Sequence, residues 1–247
     1  MDINEIQTEI SRLFNKYRIP DITHKIPIEN LHRWSSEVAT HFKLDLDDFR
    51  KKMSELFWSP THIQLSLGYT LIARQDCKFP KGTNGKAFKE EDIPDAVGLP
   101  EIHFWYHLYN CYECIYRCWE RIASVLKNVC YPNNNEKMYF DQIVNTLDID
   151  NSYNKNPHLN PLKKQRKHWN NAAKARNDIS HGTSSPLRNM NIEGKVSNIL
   201  AMDGLPQIYL NYSINSPKES IEKVVEQYKK VFQAMKIMVD FIDNIDR

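Results

Sequence analysis

Residues 101–130, EIHFWYHLYNCYECIYRCWERIASVLKNVC, carry the longest periodic signal in the chain. Phe104, Leu108, Cys111, Ile115, Cys118, Ile122, Val125 and Val129 recur at alternating steps of four and three. That seam predicts a long α-helix with one face against a core. Trp105, Tyr109, Tyr112, Tyr116 and Trp119 form a second stripe beside it at helical spacing. A helix apolar on two adjacent faces is packed on more than one side, so 101–130 reads as the central helix of the fold. The aromatic stripe could serve as a base-stacking platform, but core packing is the commoner use of that spacing.

Helical periodicity extends outward in both directions. Ile3, Ile6, Ile10, Leu13 and Tyr17 repeat until Pro20. Amphipathic stretches follow at about 30–43 and 46–57, and Ser59-Pro60 reads as an N-cap with Pro at N1, opening a separate helix to about Arg74. Residues 77–100 interrupt the pattern with Pro80, Gly82, Gly85 and Pro94 among Lys78, Lys81, Lys86 and Lys89, which predicts a long basic loop. Beyond the central helix come a short helix at 135–148, an Asn-rich loop at 149–160 and a helix over 161–181 with Asn160-Pro161 at its start. Ser216, Pro217 and Glu219 predict the start of a terminal helix. Only 195–213 looks strand-like: 196–202 and 207–212 flank Asp203-Gly204, a hairpin signal. The expected architecture is all-α, with one small β-hairpin. Residues 1–76 form an N-terminal helical extension, 77–100 a basic loop and 101–247 a helical bundle.

Composition narrows the function. The chain has 247 residues, a net charge of +2 and only seven glycines, where average usage would give roughly seventeen. Folds built on Gly-rich phosphate loops are disfavoured, and any basic surface must be local. No apolar run approaches the ~20 residues that span a bilayer. The acidic N-terminus lacks the pattern of a signal peptide, and five cysteines make an odd count, so the expectation is a cytoplasmic protein without a disulfide framework. Cys111 and Cys118 lie in the apolar seam with Cys114 nearby, which favours core packing over a thiolate metal site. His103 and His107 have the spacing of a zinc-binding helix, but Phe104 stands where a zincin needs Glu. No metal and no cofactor is expected.

One segment stands apart: 162–182, LKKQRKHWNNAAKARNDISHG. From Lys155 through Asn177 there are seven Lys or Arg and no Asp or Glu, a concentrated positive surface suited to a polyanion. Lys163, Lys164, Arg166, Lys167 and Lys174 are the candidate RNA-binding residues. Leu162, Trp169 and Arg176 are seven apart, so Arg176 projects from the apolar side, where a guanidinium must meet a carboxylate, a phosphate or water. Asn177 and His181 are four apart and share a face at the helix end, where the carbonyl dipoles favour a protonated imidazole. Glu113 and Glu120, off the stripes of the central helix, are candidate supporting residues. Glu113 could pair with Arg176, or simply with Arg117 four residues on.

Arg176-Asn177-x-x-x-His181 resembles the R-x(4–6)-H motif of HEPN domains, including the Asn often seen after the Arg. A second Arg/His pair at that spacing, Arg18 and His24, contains Pro20 and cannot form one helical turn. The resemblance covers the C-terminal 147 residues and implies a HEPN-like helical bundle. It further implies a metal-independent endoribonuclease, with His181 as acid/base residue, Arg176 as the phosphate-binding cation and Asn177 in support. Cleavage by the neighbouring 2′-OH needs proton removal, proton delivery and cationic stabilisation of the phosphorane. One His cannot easily be both base and acid, and HEPN proteins dimerise to bring two motifs to one cleft. The implied partners are RNA, a second copy of the chain and an antitoxin protein, and the implied role is that of a prokaryotic toxin or anti-phage defence effector. Thr183 stands where one subclass has Tyr, so adenylylation there is not expected. The competing reading is a non-catalytic HEPN-like dimer that binds nucleic acid, nucleotide or a protein partner.

Overall fold

The computed structural model describes residues 2–20, 30–77, 99–181, 190–195, 209–214 and 217–245. At 3, 99, 101–102, 178–181, both strands and 217–220 only the backbone is described. The architecture is all-α: α1 Ile3–Lys16, α2 Leu31–His41, α3 Leu46–Asp76, α4 Leu99–Cys130, α5 Phe140–Ile149, α6 Leu159–His181 and α7 Pro217–Asp243. A single antiparallel strand pair, β1 Met190–Lys195 and β2 Tyr209–Ile214, lies between α6 and α7 in the chain, with Met190 opposite Ile214 and Lys195 opposite Tyr209. The second strand falls near the expected 207–212, whereas the first precedes the expected 196–202, which lies outside the described residues together with Asp203-Gly204.

Helix α4 is the axis of the bundle, and α3, α5, α6 and α7 all pack on it. Every residue of its predicted seam is at most 2% exposed, and Trp119 of the second stripe is fully buried against Phe140. The aromatic stripe is therefore largely core. Cys111 and Cys118 are buried in the same seam, where desolvation holds both thiols far above their ordinary range, Cys118 at about 12. Buried residues from α1, α2 and α3 belong to the same hydrophobic cluster as those of α4–α7, so 1–76 shares the core of the bundle.

Helices α3 and α4 run antiparallel. Asn110 Nδ2 donates to Ser66 Oγ at 2.7 Å, Tyr69 stacks on His107, and Arg121 Nη1 donates to Ser59 Oγ at 2.5 Å. The expected break at Ser59-Pro60 does not occur, because α3 passes straight through Pro60. Ser59 Oγ donates to the carbonyl of Glu55 at 2.9 Å, and Phe57, Ser59, Pro60 and Ile63 are buried. Burial on α4 and the serine back-bond outweigh the one backbone hydrogen bond that proline forfeits. Helix α1 starts with a capping box, Asp2 accepting from Glu5 N and Glu5 accepting from Asp2 N. It crosses α3 at Gly68, where a Cβ would come within 2.6 Å of the Ile10 side chain, so any larger residue there would have to displace Ile10.

The short fifth helix begins later than the sequence suggested. Asn134 Oδ1 accepts Glu136 N at 2.8 Å, a local turn that keeps 131–139 out of the helix until Gln142 caps Tyr139 N. Helix α6 begins at Leu159, two residues early, with Pro161 in its first turn, where a missing N–H costs nothing. Its start is pinned from both sides: Asn156 Oδ1 accepts His158 N, and Asn156 Nδ2 donates to the carbonyl of Phe241. Pro217 opens α7 as predicted, while Ser216 lies outside the described residues. Residues 78–98 of the expected loop, with its lysines at 78, 81, 86 and 89, also lie outside them, and α4 starts at Leu99, two residues inside the expected loop. No helix among the described residues is long and apolar enough to cross a membrane.

Candidate nucleic-acid interface

Helix α6 buries Leu162 and Ala172 and half-buries Trp169 against the core, so its apolar side is set as the heptad spacing required. Arg176 continues that side one turn beyond the core and is 33% exposed. Its Nε donates to Glu113 Oε2 at 3.4 Å, its Nη1 donates to Asn177 Oδ1 at 3.2 Å, and its guanidinium carbon lies 5.2 Å from the ring centroid of Tyr116. Two residues of α4 thus orient the guanidinium, one by charge and one by a cation–π contact. Glu113 serves both readings of its sequence at once. Oε1 accepts from Arg117 at 2.9 Å while Oε2 faces Arg176. One carboxylate shared by two guanidiniums leaves a net positive centre.

Asn177 is exposed. Helix α6 runs unbroken to His181, which puts backbone positions 176, 177 and 181 on its last turns, but the His181 side chain lies outside the described residues, as do Gly182 and Thr183. Glu120 does not meet Arg176. It accepts from Lys137 Nζ at 2.9 Å, tying α4 to the 131–139 turn.

The predicted RNA-binding residues divide into two groups. Lys174 lies close to Arg176 along the helix. Lys163, Lys164, Arg166 and Lys167 lie on the other half of α6, Lys163 about 20 Å from Arg176 along the helix axis. With Lys230 and Gln233 of α7, they border a shallow depression. Lys163 is paired with both oxygens of Asp148 at 2.7 and 2.8 Å. The acid-free run in the sequence therefore meets an acid from α5 in space. His168 sits among these cations. Burial, then Lys230 and Lys167, push its pKa below the ordinary value, against a smaller opposing pull from Glu226.

No family model, no curated protein and no solved structure matches the chain. Arg117 and Arg121, which lie off the apolar stripes of the central helix, gather with Lys127 and Lys137, which sequence reasoning passed over, around a concavity next to Arg176. Their helical spacing on α4 was a signal, because 117, 121, 124 and 127 fall along one face.

Proposed function

We propose that this chain is a metal-independent endoribonuclease of HEPN type, acting at a site composed from two copies. Arg176, held by Glu113 and Tyr116 two turns or less from His181, is the observation that supports the reading most directly. In the reaction the ribose 2′-OH loses its proton to His181 of one copy and its oxygen attacks the adjacent phosphorus. Arg176 stabilises the charge that grows on the phosphorane oxygens. The bond from phosphorus to the 5′-oxygen breaks, and the second copy's His181 protonates that oxygen. The products are a 2′,3′-cyclic phosphate and a 5′-OH. The same resemblance supports a role as a prokaryotic toxin or anti-phage defence effector, with an antitoxin as a further partner.

A second reading, binding without cleavage, is favoured by one observation. Arg176 is already engaged by a carboxylate, as a structural arginine would be. Incubation of the purified protein with tRNA and mRNA in EDTA separates the two. Fragments with 5′-OH ends that disappear in His181→Ala are expected, and tight binding to RNA that stays intact would favour the second reading.

A further inference from the structure

Beside Arg176 the polar face of α4 and the 131–139 turn enclose a concavity of about 550 Å³, lined by Arg117, Glu120, Arg121, Lys127 and Lys137 with Met138 and two small polar side chains. Four cations face one carboxylate there, and that carboxylate is committed to Lys137. Arg121 is fixed by Ser59 of α3, and neither it nor Lys127 has a carboxylate partner among the described residues. The cations on α4 run from position 117 to position 127, about 15 Å of helix. Arg117 belongs both to this concavity and to the Glu113 pair that reaches Arg176, so the positive surface is continuous between them. Among the described residues no aromatic ring lines the wall; Tyr139, whose face carries Lys137 at 4.8 Å, is not part of it.

We propose that this concavity binds the phosphodiester backbone of a single RNA strand leading to or from Arg176; the direction of the strand rests on the nuclease reading. A space of this size admits roughly one nucleotide unit, within the range of pre-formed ligand sites and far too narrow for a duplex. Cations without a stacking surface grip phosphates irrespective of base, so binding here is independent of sequence.

The test uses the full chain carrying His181→Ala, a fluorescently labelled single-stranded RNA oligonucleotide and a salt series in EDTA. Lys127→Gln together with Lys137→Gln should flatten the slope of log affinity against log salt by about 1.4, roughly 0.7 per cation, which is about fivefold in affinity per cation at 0.1 M salt relative to 1 M. Lys127→Arg should restore its share. An unchanged slope in a double variant that melts like the parent overturns the proposal, as does equal binding of blunt duplex RNA. ATP saturating the concavity without displacing the oligonucleotide overturns it too. RNA binding that depends on these cations, with no cleavage by the wild type, would sink the nuclease reading and leave this one standing.

Discussion

Two cationic regions of similar composition behave differently. On the first half of α6, Lys163, Lys164, Arg166 and Lys167 crowd into little more than one turn of the helix on an open surface, and an acid from α5 already neutralises the first of them. Beside α4, the cations come from a helix and a turn, are braced by Ser59 and Glu120, and surround a hollow. The dense run is conspicuous in sequence yet diffuse in space. The dispersed set is faint in sequence yet convergent. Convergence concentrates positive potential where a ligand can be enclosed, and it adjoins Arg176.

The largest effect that would sharpen this contrast is catalytic. Arg176→Ala should lower RNA cleavage by about a hundredfold or more, the scale of losing one charge-stabilising donor. Circular dichroism should show the helical content unchanged, and full activity would make Arg176 merely structural. Next comes stability. Ser59→Ala leaves a half-buried Arg121 donor without its acceptor and should cost about 1–3 kcal/mol in denaturant unfolding. Lys163→Ala removes only an exposed pair and should cost between about 0 and 1 kcal/mol. Equal costs for the two substitutions would show that the α4 region is no better braced than the α6 face.

The smallest effect is a titration. Because the pKa of His168 is lowered in the folded chain, the unfolded chain takes up that proton first as pH falls through about 6.5. The imidazole therefore withdraws stability below that pH, and His168→Gln should soften acid denaturation slightly. A phosphate seated on the α6 face would favour the imidazolium and raise the His168 pKa when RNA binds. With RNA held beside α4, an NMR titration should find that pKa little changed by RNA.

The fold was legible where its cause is local. The seam of α4 is a repeat within one segment, and all eight of its residues are core. Pro60 misled because its effect on α3 is decided by α4, a separate helix against which α3 buries its middle. The contact made by Arg176 was legible for the same reason. Arg176 leaving the apolar side at helical spacing required a partner, and Glu113 is that partner. The Asp148 bridge to Lys163 and the gathering of Lys137 with the α4 cations join separate elements, and no spacing rule reaches across them.

The most direct measurement is ³¹P NMR of a defined RNA oligonucleotide after incubation with stoichiometric protein in EDTA. Wild-type protein should yield a 2′,3′-cyclic phosphate resonance, His181→Ala should yield none, and Arg176→Ala should form it at least about a hundredfold more slowly. A 5′-phosphate product, or bound RNA that never gives the cyclic species, would contradict the nuclease mechanism.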